Sequence, residues 1–137
     1  MAFKFLEHTA DLKVRVSEKT IEGAFLSSAL ALKEAIAERV KVKSKLKKQI
    51  EINGRDLNSL LYNFLEEFLF LLDAEGFLLS EIKNFKLDKK KLKIKCLLFG
   101  DKAGNYKFTN DVKAITYNDM KITNSKGKSV IEFVVDV

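Results

Sequence analysis

The stretch DLNSLLYNFLEEFLFLLDAEG, Asp56 to Gly76, decides the fold. Within it Leu57, Leu60, Leu61, Phe64, Leu65, Phe68, Leu69 and Leu72 recur in steps of three and four, the spacing that lines one face of an α-helix. Asp56 is a good N-cap, because its short carboxylate accepts the orphan N–H groups of a first turn, and Gly76 supplies a left-handed stop. The remaining face carries Tyr62, Phe70 and Leu71, so the second half of this helix is expected to be covered on more than one side. Such a helix is the central core element.

Working outward, Ile21, Ala24, Phe25, Ser28, Ala29, Leu32, Ala35 and Ile36 take the same steps behind Thr20 as N-cap, which predicts a first helix. Elsewhere the period is two. Phe3 to Glu7 alternates weakly, and Leu12, Val14 and Val16 alternate with Lys13, Arg15 and Ser17. Val40 to Ile52 reads as one or two strands whose outer face holds Lys41, Lys43, Lys45 and Lys47, lysines that protect an edge. Phe77 to Leu87, Lys91 to Phe99, Val112 to Ile122 and Ser129 to Val137 follow, broken by Asp88 to Lys90, Gly100 to Gly104 and Asn124 to Lys128. About seven strands and two helices, the helices not alternating regularly with strands, predict an α+β fold. The expected architecture is a two-layer sandwich of a twisted, largely antiparallel sheet with two helices, in one domain spanning 1–137 without repeat or linker.

Composition narrows the function classes. Hydrophobic residues make up 47% and charged residues 32%, a balance that excludes a disordered chain and, with no run of eighteen apolar residues, a membrane-spanning helix. No apolar leader opens the chain, so a cytoplasmic protein is expected. Cys96 is the lone cysteine and sits in an alternating run, which excludes an internal disulfide or a Cys-x-x-Cys site and predicts a buried structural thiol. The net charge of +6 comes from lysine, with only Arg15, Arg39 and Arg55 as arginines. Lysine gives diffuse attraction to phosphate or an acidic partner rather than planar recognition. The glycines form neither G-x-G-x-x-G nor G-x-x-x-x-G-K, so no nucleotide-binding loop is indicated. The runs Lys41 to Lys48 and Lys83 to Lys95 lack the aromatic motifs of common RNA-binding modules and read first as solvated faces. A general RNA-binding chaperone using these strands is the alternative reading.

Among carboxylates, alternation places Asp11 and Asp136 on the polar side while Leu12, Val14, Phe133 and Val135 point the other way. If their strands are neighbours, Asp11, Asp136 and the main-chain carboxylate of Val137 converge, a set of hard oxygens suited to calcium, magnesium or manganese. The set suits zinc poorly, because one histidine and one cysteine cannot furnish its usual soft ligands. An exposed strand aspartate is ordinarily just solvated, so the residues alone leave both readings open. His8 reads as a structural or supporting group, since no suitably framed serine accompanies it, and a phosphohydrolase built on the two aspartates lacks an evident general acid. Asp119 falls opposite the parity of Val112, Ala114 and Met120 and should face solvent or a site.

His8-Thr9-Ala10-Asp11-Leu12 resembles the amino-terminal His-Thr-Ala-Asp signature of the archease family. The likeness continues through Leu60-Leu61-Tyr62, then Phe70-Leu71-Leu72-Asp73-Ala74-Glu75-Gly76-Phe77, then Lys113-Ala114-Ile115-Thr116-Tyr117-Asn118-Asp119-Met120, and ends with Val135-Asp136-Val137. In this order it spans essentially the whole chain. Leu12 stands where valine is commoner, and Asn118 where family members often carry histidine, which weakens any histidine-assisted ligand set.

The resemblance implies an accessory protein rather than an enzyme: an activator of an Rtc-type GTP-dependent RNA ligase that promotes guanylylation and multiple turnover in tRNA splicing or RNA repair. It implies that the ligase is the partner, with RNA met only through it and no membrane involved. It also implies a divalent metal, calcium being the foremost expectation, held by Asp11, Asp136 and Val137, with Asp119 and His8 in supporting or partner-contacting places.

Overall fold

The computed structural model describes residues 3–6 and 11–137. In chain order they form β1 (Phe3–Leu6), β2 (Leu12–Glu18), α1 (Ile21–Ile36), β3 (Leu46–Asn53), α2 (Leu57–Glu75), β4 (Phe77–Asp88), β5 (Lys93–Lys102), β6 (Ala114–Ser125) and β7 (Lys128–Asp136), with a short 3₁₀ turn at Ala103–Asn105. The α+β class, the seven strands and the two helices are as the sequence pattern predicts.

Both helix ends follow from their caps. Thr20 accepts the Gly23 N–H at 3.0 Å and opens α1. At α2 the Asp56 carboxylate accepts the Ser59 N–H at 2.7 Å while the Ser59 hydroxyl accepts the Asp56 N–H at 3.1 Å, so two orphan donors are satisfied reciprocally. Gly76 closes the helix in the left-handed region, φ 62°, its N–H donating to the Leu72 carbonyl. Between these caps Leu60, Leu61, Phe64 and Leu65 are fully buried. The Phe64 ring meets those of Phe25, Phe68 and Phe85 at centroid distances of 6.3, 5.0 and 5.7 Å. Truncating such a ring to alanine costs about 3–5 kcal/mol, which makes Phe64 the residue on which the junction of α1, α2 and β4 depends.

The strands divide between two antiparallel sheets instead of forming one: β1-β2-β7-β6 and β3-β5-β4. The physical reason lies in the helices. Buried residues of α2 run from Ser59 through Leu71 on more than one side, and each helix touches both sheets, which a single sheet could not provide. Leu71 is covered as expected, but Phe70 is 56% exposed and, with Asn63 and Ala74, leaves one face of the helix open to solvent.

Three departures from the periodic reading of the strands have a visible physical cause. Residues 40–45 are not a strand, because the Lys43 N–H goes to the Tyr106 hydroxyl and the pairing of β3 with β5 begins only at Leu46 opposite Gly100. Gly100 and Asp101 remain within β5, where the absent side chain of Gly100 lets β4 approach: a Cβ there would lie 2.1 Å from the Leu78 carbonyl oxygen. Finally, β6 starts at Ala114 and is interrupted. Thr116 pairs with Val134 but the next partners are Lys121 and Glu132, so β6 carries three extra residues in between. This bulge lets Ile115 and Met120, five positions apart, both be buried.

Candidate functional site

The four-stranded sheet buries Val14 and Val16 of β2 with Ile131, Phe133 and Val135 of β7 on its inner face. The ladder pairs Leu12 with Val135, Val14 with Phe133 and Val16 with Ile131. The ladder ends at the rung of Leu12 with Val135; Asp11, in a bend, precedes it and Asp136 follows it, so the two aspartates that alternation selected flank the same end of the β2–β7 pair.

The main chain fixes this end from the other side. Ala114 of β6 pairs with Asp136, and the Lys113 N–H donates to the Asp136 carbonyl at 2.7 Å. Asp136 is exposed and Asp11 half-buried, while Val137 packs partly against the core. The next carboxylate along the outer face of β7, Glu132, is engaged with Lys13 at 3.5 Å and Arg15 at 3.8 Å. It stands four residues from Asp136, about 13 Å along a strand, and does not belong to the pair.

Among the described residues no group of three or more His, Cys, Asp or Glu side chains gathers to hold a metal ion. What the sheet end offers is two carboxylates and the main-chain oxygens of Val137, an all-oxygen donor set that fits a hard cation. His8 lies outside the described residues. Asp119 is exposed on the β6 bulge, about three rungs from Asp136, so the structure does not join it to the pair.

Instead the bulge builds a second feature that periodicity could not reveal. Tyr117 is swung onto Tyr62 of α2, and Asn58 of the same helix donates to the Met120 carbonyl at 3.5 Å. Together with Asn53, Gly54, Arg55 and Asn63, the two tyrosines line an open depression of about 460 Å³. Burial and a hydrogen bond to Glu66 push the Tyr62 hydroxyl above its ordinary pKa, so it stays protonated and donates. Asn118 and Asp119 follow Tyr117 at the rim. The one cysteine, Cys96, is buried, and burial raises its thiol to about 11, which keeps it protonated and inert.

Compared with known proteins, residues 3–137 match the model of the Archease protein family. The chain belongs to the archease family. Over 136 residues it is 40% identical to the protein archease of Pyrococcus furiosus, covering 96% of this chain and 95% of that one. The solution structure of a Methanobacterium thermoautotrophicum protein superposes with a TM-score of 0.83 at 29% identity, over 98% of each chain. A crystal structure from Thermotoga maritima, described as an archease and possible chaperone, shares the fold with a TM-score of 0.67 at 18% identity over 98% of this chain and 96% of that one. Among the described residues of this archease, no helix is long and apolar enough to cross a membrane.

Proposed function

We propose that this archease is a cytoplasmic accessory protein that promotes guanylylation and multiple turnover of an Rtc-type GTP-dependent RNA ligase in tRNA splicing or RNA repair. The observation that supports the reading is the register of β2 against β7, whose last rung, Leu12 with Val135, leaves Asp11 and Asp136 at the same end of the strand pair. A partner's active site can receive such an edge, since the strands behind it are buried and rigid.

In this reading Asp11, Asp136 and the main-chain oxygens of Val137 hold a divalent cation, calcium, magnesium or manganese. When bound, the cation supplies charge compensation for a nucleotide phosphate. The ligase provides the nucleophile and the nucleotide; this chain contributes carboxylates and their orientation. Two adjacent carboxylates would otherwise repel each other and an incoming phosphate, so the pair works only where positive charge is also present. The exposed bulge residues Asn118 and Asp119 are placed to contact the partner rather than the cation.

The test is the rate of GMP attachment to the cognate ligase with and without this protein, alongside Asp11→Ala and Asp136→Ala. Stimulation that disappears in both folded variants is the expected result. A wild-type protein that leaves the rate unchanged would sink the activator reading.

A further inference from the structure

The lysine run of the β4–β5 hairpin builds a concave surface. Lys86, Lys89, Lys90, Lys91, Lys93 and Lys95, at the turn end of the β4–β5 hairpin, surround a single open depression of about 600 Å³, whose only carboxylate is Asp88. Asp88 is turned into the hairpin itself, accepting the Lys90 and Lys91 N–H groups at 3.0 Å each. Glu51 of β3 serves Lys93 at 2.9 Å and Lys95 at 3.9 Å. Among the described residues Lys86, Lys89, Lys90 and Lys91 have no carboxylate within ion-pair distance.

The register makes the arrangement costlier still. After a bulge in β4, Lys86 is paired directly with Lys95 across the ladder, a like-charge juxtaposition that opposes folding. Along the same outer face, toward the other end of the hairpin, lie the half-buried Leu97 and Phe99, with the Lys83 ammonium 5.3 Å from the Phe99 ring centroid. The run Lys41 to Lys48 gathers no such cluster. Lys48 pairs with Glu75 and lies over the Phe77 ring, and Lys45 sits in the field of Asp101.

We propose that this hairpin face is a docking surface for the phosphodiester backbone of single-stranded nucleic acid, with phosphates in the lysine cup and a base against the Leu97 and Phe99 strip. Lysine alone, with no arginine in the cup, suits a string of phosphates held as point charges. A carboxylate-bearing protein surface would favour the planar fork of arginine, and lysine is depleted at protein interfaces. The flanking Phe99 ring has a use for a base, whose face stacks on it without sequence preference. The inference is independent of ligase stimulation, because the protein alone should bind.

The experiment titrates this protein into a fluorescein-labelled oligouridine RNA of about 12 nucleotides and follows anisotropy across a series of salt concentrations. It compares wild type with a variant carrying Lys86→Gln, Lys89→Gln, Lys90→Gln and Lys91→Gln. A charge-matched control carries Lys41→Gln, Lys107→Gln, Lys126→Gln and Lys128→Gln, all at exposed positions. The hairpin variant should bind at least tenfold more weakly at low salt, its salt slope reduced by about 3, since each lost single-strand phosphate contact removes about 0.7. The control should change little. Equal losses in both variants would mean diffuse charge, and absent RNA binding at low salt would remove the site; either overturns the proposal. So would polyglutamate that binds more tightly than RNA through the same four lysines, which would assign the face to an acidic protein. Should the fourfold variant melt early, Lys89→Gln with Lys90→Gln, confined to the turn, carries the comparison.

Discussion

Tyr117 stands edge-on to Tyr62, their ring centroids 5.4 Å apart and their planes at 85°. One ring comes from the β6 bulge and the other from α2, so the pair joins the bulge to the helix across the rim of the 460 Å³ depression. Edge-to-face aromatic pairs contribute about 0.5–1.5 kcal/mol beyond the area they bury. A double-mutant cycle of Tyr62→Leu and Tyr117→Leu, read by urea unfolding, should return a coupling in that range. A coupling of zero would mean that the bulge is held without the ring pair, by the Asn58 bond and buried Met120.

Close backbone approach separates the glycines. A Cβ at Gly54 would lie 2.6 Å from the Leu60 main chain, and at Gly100 2.1 Å from the Leu78 carbonyl oxygen, whereas at Gly104 nothing lies within 4 Å. Since neither obstacle is a flexible side chain, Gly54→Ala and Gly100→Ala should each cost about 1–3 kcal/mol. Gly104→Ala should stay within about 0.5 kcal/mol, as an unhindered surface change does. Denaturation midpoints of the three variants check the ranking, and an unaffected Gly100→Ala protein would contradict the packing of β4 on β5.

What the sequence disclosed tracks how local each determinant is. The caps Thr20, Asp56 and Gly76 act within one turn of their own helix, and both helices span the residues that their spacing implies. Asp11 and Asp136 were legible as outward-facing, because a period of two needs only the neighbours on the same strand. Their place at the same sheet end was not, since it depends on β2 pairing with β7 from the opposite end of the chain. The division into two sheets and the bulge after Thr116 are likewise set by long-range packing. The sole sign of the bulge in the sequence is that Ile115 and Met120, both apolar, fall on opposite parities. The same conflict hides the contact of Tyr117 with Tyr62, and a separate bulge in β4 between Lys83 and Lys86 hides the facing of Lys86 and Lys95.

The Asp101 carboxylate should make stability depend on acid. Tyr106 donates to it at 2.7 Å and the Lys102 N–H at 2.8 Å, and these bonds hold its pKa below the ordinary 3.8 although burial opposes them. A depressed folded-state pKa contributes stability that is present above the unfolded value and is lost as pH falls through the folded one. Tyr106→Phe removes the largest cause and should bring the carboxylate back toward 3.8. Its urea midpoint should therefore trail wild type most at neutral pH, with part of the gap closing below about pH 3.8. A gap that is the same at pH 7 and below 3.8 would show that Tyr106 acts only through its hydrogen bond to the Lys43 N–H.

Cation binding at the Asp11 and Asp136 edge has a readout that needs no ligase. A ligand that binds only the folded state stabilises it by about 2.7 kcal/mol at a hundred times its Kd, which for a chain of this size moves Tm by several degrees. Wild-type protein stripped with chelator should therefore gain Tm when calcium, magnesium or manganese is restored, and Asp11→Asn and Asp136→Asn should not. In the metal-free state Asp136→Asn should melt close to wild type, since Asp136 is exposed and the amide keeps the shape. That pattern separates a ligand from a structural role: a residue needed for folding would lower Tm in the absence of metal. A wild-type Tm indifferent to all three cations at millimolar levels would leave the two aspartates as a solvated edge, the plainer of the two readings that their alternation permits.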